Sequence, residues 1–318
     1  MAIPPAVPVA AVPARPDPEV GAGSILLLVL LTLAWGANWP IMKIAMQDVP
    51  PFTIRALASL CGAAGLFLIA SIRGERLGLP RRFWRIMLLA GLLNMFVWNI
   101  LILLGLDRMD SGRAAILGYT MPLWATLAGM AILGERPTPR RLAALAVGLC
   151  GIGLLLSGDA DVLAGDLAGP ALIIGGAMAW GIGTVVIKRA ALPLSIFVVV
   201  AWQHLIGAVP MSLGALTLEV DRLGPVGLWP ALCVGYNMLL TSIFCYWAYF
   251  QVVSSVPVVV STVGLMVTPA VGVLSGALVL GEQPVGTDWL ALLAVSVAVF
   301  LVLVPTRRGP LAAGRSGS

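Results

Sequence analysis

Ten apolar runs, each close to 20 residues, fill almost the whole 318-residue chain. A run of this length spans a bilayer as one α-helix, because about 20 residues at 1.5 Å rise cover the hydrocarbon core. The runs lie at 24–46, 52–72, 83–104, 113–133 and 142–157, then at 167–188, 195–218, 228–251, 256–280 and 289–304. Composition agrees. Hydrophobic residues make up 60% and charged residues 10%, with a mean hydropathy of +1.02, whereas a soluble domain carries about 25% charged residues. The runs are continuously apolar rather than alternating, which argues against a transmembrane β-barrel. The sequence therefore predicts an all-α membrane protein with ten transmembrane helices.

The basic pI of about 9.4 points to topology rather than to nucleic acid, because the charge sits in short loops. With a cytoplasmic N-terminus, 14 Lys and Arg fall on the inner side and 5 on the outer side, where Lys43 and Arg55 are counted at the margins. Both termini are expected inside, in an inner membrane. The outer loop "SGDADVLAGD" has three Asp and no Lys or Arg. Residues 1–23 are rich in Pro and Ala and lack the form of a signal peptide. They and 306–318 are expected to be disordered cytoplasmic tails. Cys61, Cys150, Cys233 and Cys245 lie inside apolar runs without metal-ligand spacing, so buried free thiols are expected.

The chain repeats itself. "WGANWPIMK" (35–43) and "WGIGTVVIK" (180–188) share Trp-Gly and a lysine, and Lys43 and Lys188 are the only lysines present. "MPLWATLAGMAILGERP" (121–137) matches "TPAVGVLSGALVLGEQP" (268–284), at an offset of 147 against 145 for the first pair. Two related halves follow, 24–158 and 167–305. Each holds five runs, and an odd number forces the second half into the membrane upside down. Inverted repeats of this kind characterise alternating-access transporters, with the site near mid-membrane between the halves.

Trp-Gly in run 1, Pro within run 4 and Gly-Glu-x-Pro after it, all given twice, resemble the EamA family of the drug/metabolite transporter superfamily. The resemblance covers the chain between its tails. It implies a ten-helix fold and transport of small metabolites, with export of amino acids, aromatic ones included, known among members. It does not identify a substrate.

No run places Asp or Glu near its centre, and the fourteen carboxylates lie in loops, tails or helix ends. This argues against a carboxylate proton relay and a strongly charged substrate. A neutral or zwitterionic metabolite is expected, with lipophilic cations or drugs as the alternative. Candidate cavity residues are Asn38, Asn94, Trp98, Asn99, Tyr119, Trp124, Trp180, Asn237, Thr241 and Tyr246. Amides and rings of this kind suit an aromatic or cationic group, although mid-span Asn serves equally as helix–helix glue. Asn94 and Trp98 are four apart and share a helical face.

Pro122 and Pro269 are expected to kink runs 4 and 9, as hinges or as static bends. Lys43 and Glu282 end helices on one face, and Lys188 and Glu135 on the other. These pairs are candidate gates, or else a snorkelling Lys and a capping Glu. His204 is the only histidine and reads more readily as a neutral core residue than as a proton carrier. No nucleotide-binding loop appears, so ATP is not the expected driver and no cofactor or metal is called for. A membrane enzyme would want clustered His or paired Asp, and a channel a charged or carbonyl-lined pore.

Overall fold

The computed structural model describes residues 21–158 and 165–304. Both tails and most of the acidic 157–166 loop lie outside the described residues, apart from 21–23 and the loop's edges. Every described element is helical. Ten helices among the described residues have membrane length: α1 (Ala22–Ala45), α2 (Pro51–Ile72), α3 (Arg81–Leu106), α4 (Ser111–Leu133), α5 (Pro139–Ser157), α6 (Ala168–Ala190), α7 (Ile196–Leu218), α8 (Leu228–Ser255), α9 (Val259–Leu280) and α10 (Gly286–Leu303). Large apolar side chains point outward, as a lipid surround requires. Leu278 is 85% and Ile72 77% exposed. Of the four free cysteines only Cys245 is buried, and Cys150 faces outward. The expectation of four buried thiols is corrected accordingly, since lipid accommodates a thiol as readily as the core does.

The packing obeys a pseudo-two-fold relation that exchanges α1 with α6, α2 with α7, and so on. The α2–α7 and α5–α10 pairs map onto themselves. The α1 packing on α9 matches that of α6 on α4, and α3–α6 matches α8–α1. These are two inverted five-helix repeats. We call the end carrying the 46–50, 107–110, 219–227 and 281–285 loops the first face. The opposite end is the second face.

The Trp-Gly motif has a packing cause. A Cβ on Gly36 would sit 2.8 Å from the Thr268 carbonyl oxygen, and one on Gly181 2.6 Å from the Ala125 nitrogen. Both glycines let α1 and α6 lie directly against the second halves of α9 and α4. Small residues permit such close approach where lipid gives no hydrophobic drive between helices.

Two features were not expected. First, α4 and α9 are broken rather than kinked. Helix ends at Gly118 and resumes at Met121, and it ends at Leu265 and resumes at Thr268. Pro122 and Pro269 each take the second position of the new segment, within the first turn, where a missing N–H costs nothing and the fixed φ suits a helix start. Second, Leu92–Val97 in α3 and Asn237–Phe244 in α8 are π-helical. The two stretches correspond across the repeat. Such turns widen the helix locally and recur at functional sites. They also rotate the face that Asn94 and Trp98 were expected to share.

Candidate functional site

Both Gly-Glu-x-Pro motifs act first as helix ends. Gly134 (φ 66°) and Gly281 (φ 72°) adopt the left-handed conformation that glycine takes without a Cβ penalty. The next N–H then returns to a carbonyl six residues back, Glu135 to Gly129 and Glu282 to Gly276, at 3.4 and 3.3 Å. Gly129 and Gly276 lack the Cβ that would collide with or crowd the folded-back carboxylate.

From there Glu282 reaches across the repeat boundary. It accepts the Ser111 N–H at 2.7 Å, the Ser111 hydroxyl at 2.9 Å and the Gly112 N–H at 3.0 Å, capping α4. Lys43 stands 3.6 Å from the same carboxylate and donates to the Met109 carbonyl at 2.9 Å. The first face is thus tied across α1, α3, α4 and α9. On the second face Lys188 pairs with Glu135 at 2.9 Å, and Arg141 pairs with it at 2.7 Å. The hydrogen bond from Lys188 is the main cause holding the Glu135 carboxyl below its usual 4.5. Lys188 is 66% exposed and Glu135 25%, against 31% and 8% for Lys43 and Glu282.

The faces differ in packing too. The first half of α4 lies on the second half of α9, where a Cβ on Gly112 would come 3.0 Å from Val273 Cα. The repeat-related contact, the first half of α9 on the second half of α4, is at most marginal.

Other carboxylates reach helix starts of the opposite repeat. Glu219 accepts the Phe52 and Thr53 N–H groups at 2.9 and 2.7 Å and the Thr53 hydroxyl at 2.8 Å. Glu75 accepts from the Ser195 hydroxyl at the start of α7. Anions at helix N-termini meet unpaired N–H groups and the positive end of the dipole.

The candidate cavity residues fall into two groups and some stragglers. In one group, Asn94 donates to Gln203 at 2.8 Å, Tyr246 lies against Met95 and edge-on to His204, and Trp35 meets Tyr246. In the other, Trp98 contacts Trp180 at 5.4 Å, and the Trp39 and Trp98 rings converge where a Cβ on Gly118 would lie. Gly118 ends the first half of α4, so the break opens against these rings. The Tyr119 side chain faces Thr268 across the two breaks. Asn99 and Thr241 bond back to their own helices, at the Met95 and Asn237 carbonyls one turn earlier. The Trp124 indole donates to Thr120 at 3.1 Å. Asn38 keeps a buried oxygen without a partner among the described residues.

Sequence reasoning missed one prominent group. Arg55, counted there as a marginal loop cation, is 7% exposed within α2. Its side chain turns inward to Asn237 Oδ1, at 3.5 Å, and to the sulfur of Met42. Its distance from the helix end, only four residues after Pro51, gave no sign of which way it turns.

The EamA-like transporter family model matches residues 22–157 and again 167–304. The chain is 31% identical to the "Uncharacterized inner membrane transporter YedA" of Escherichia coli (strain K12), over 86% of this chain and 89% of that one. It is 21% identical to a "Probable amino-acid metabolite efflux pump" of the same organism, over 87% and 93%. A protein of known crystal structure, 20% identical, superposes with a TM-score of 0.62 over 89% of this chain and 96% of its own. That last likeness concerns the fold.

Proposed function

The chain belongs to the EamA-like transporter family, and on that premise we propose that it exports a small zwitterionic metabolite, an amino acid or close relative, by alternating access. It is a multi-pass transporter of the inner membrane, and a small-molecule substrate and a lipid surround follow from that. The repeats 24–158 and 167–305 move against each other around the amide and aromatic residues at their interface. The observation that carries this reading is the inequality of the two ends. Repeats related by a pseudo-two-fold would pack alike at both faces in a static scaffold. Here α4 is capped and packed by α9 at the first face, and the equivalent contact is slack at the second.

The charge asymmetry of the loops supports both termini lying in the cytoplasm. The first face is then external and the slack face internal, so this conformation is closed to the outside, and the formed Lys188–Glu135 pair must break before it loads from the cytoplasm. Lys43–Glu282 serves as the outer gate and Lys188–Glu135 as the inner one, with Pro122 and Pro269 starting the segments that swing. The likeness to the probable amino-acid metabolite efflux pump of Escherichia coli supports the direction and the amino-acid class.

The test is counterflow in proteoliposomes. Vesicles preloaded with one unlabelled amino acid should transiently accumulate the labelled form, with a saturable rate. A linear, non-saturating flux, or none with any amino acid, refutes the proposal.

A further inference from the structure

Arg55 is the one cation buried within a membrane helix among the described residues. It sits about 6 Å along the axis from the start of α2, at 1.5 Å per residue. Guanidinium cannot shed its charge in a protein, and an unpaired charge away from water is costly. Among the described residues no carboxylate forms an ion pair with it. Glu219, close by in sequence terms to no part of α2 but folded onto its first turn, is engaged by Phe52 and Thr53. What Arg55 does have is weak. Nη1 reaches the Asn237 amide oxygen at 3.5 Å, Nη2 meets a thioether, and Nε is buried with no partner.

The surroundings are polar, neutral and under-satisfied. Tyr246 and His204 lie within electrostatic reach of Arg55. Both His204 ring nitrogens are buried without partners. Asn237 opens the π segment of α8. These groups come from α2 of one repeat and from α7 and α8 of the other, with Met42 from α1. The guanidinium therefore stands on the boundary where the halves part.

We propose that Arg55, oriented by the Asn237 amide oxygen that accepts from it, is the receptor for a carboxylate on the transported molecule. A planar carboxylate fits two parallel N–H donors of guanidinium, and the partnerless Nε is one of them. The inference rests on the carrier reading above and sharpens it: the substrate must bear a carboxylate, and the amine need not be paired by an acid. A lipophilic cation, the alternative left by the sequence, would meet a buried positive charge with no anion to offset it. The earlier argument against charged substrates holds for cations only.

The test uses the full-length protein in proteoliposomes of phosphatidylcholine alone, so that no anionic headgroup competes. Each of the twenty amino acids is compared with its carboxamide and its decarboxylated amine as a competitor of counterflow. Wild type should respond to at least one amino acid and at least tenfold less to the matching amide and amine. Arg55→Gln should lose the preference for the carboxylate, and Arg55→Lys should keep the preference with at least tenfold weaker half-saturation. A carboxylate-independent ranking in wild type overturns the proposal while leaving the carrier reading standing, and absence of counterflow with every compound overturns both. Should Arg55→Gln fail to fold, Asn237→Ala supplies the second arm: it should weaken the amino acid and leave the amide unchanged, and equal loss for both refutes the site.

Discussion

Replacing Glu282 by Ala separates a structural tie from a decorative ion pair. The carboxylate is 8% exposed and accepts two backbone N–H groups and a hydroxyl at the start of α4. Losing a helix cap costs about 0.5–2 kcal/mol. Hydrogen bonds to a charged acceptor are worth about 1.5–3 kcal/mol each, partly recovered if water enters. A net loss of about 2–4 kcal/mol is expected. At about 2–4 °C per kcal/mol for a chain of this order of size, the unfolding midpoint in detergent should fall by roughly 4–16 °C. Glu135→Ala is the control. Lys188 is largely exposed and Arg141 partly so, and solvent-screened pairs contribute about 0–1 kcal/mol, so the control's midpoint should move by less than about 4 °C. Lys43→Ala should resemble Glu135→Ala, because the α4 cap survives it. Equal shifts for Glu282→Ala and Glu135→Ala would refute the argument that the first face is tied by capping.

Three further outcomes follow from the geometry. Gly181→Ala should destabilise by about 1–3 kcal/mol through overpacking, because its Cβ meets backbone at 2.6 and 2.9 Å. Gly153→Ala, with open space around it, should be neutral in the same melting experiment. Gly112→Cys with Val273→Cys, in a chain freed of its four native cysteines, should form a disulfide on oxidation, since the built Cβ–Cβ distance is 3.5 Å. That bond should stop counterflow until it is reduced; unimpeded transport with the bond intact would refute alternation at the first face. Glu135 has a depressed carboxyl pKa, so the bond from Lys188 stabilises the fold above the ordinary value of 4.5 and is lost as pH falls through the lower folded value. The small stability difference between wild type and Lys188→Met should persist from neutral pH down to that ordinary value and vanish below it. A difference that grows on acidification would contradict the sign.

Much of the architecture was legible because membranes impose a coarse code. Run length gave ten helices, and each run overlaps one helix that the structure describes. The lysine and Gly-Glu-x-Pro coincidences gave the repeat. Their spacing also put Lys43 near Glu282 and Lys188 near Glu135, since both pairs end helices at one level. Local geometry was less legible. The π turns at 92–97 and 237–244 leave no pattern in an apolar run, because every residue there is compatible with either helix type. Pro122 and Pro269 marked the right places but not the form, since a proline reads alike as a kink or as a fresh helix start.

The sequence by itself determined the solvent, the number of crossings and the twofold internal relation, because hydrophobic length and self-similarity are properties of order along the chain. Only the tertiary structure decided which way side chains turn. It moved Arg55 from the membrane margin to the repeat interface and turned Glu282 and Glu219 into caps for helices about 170 residues away. It also left one face tied and the other slack. Helix rotation and cross-repeat contact depend on how ten cylinders pack together, and no single apolar run encodes its own azimuth.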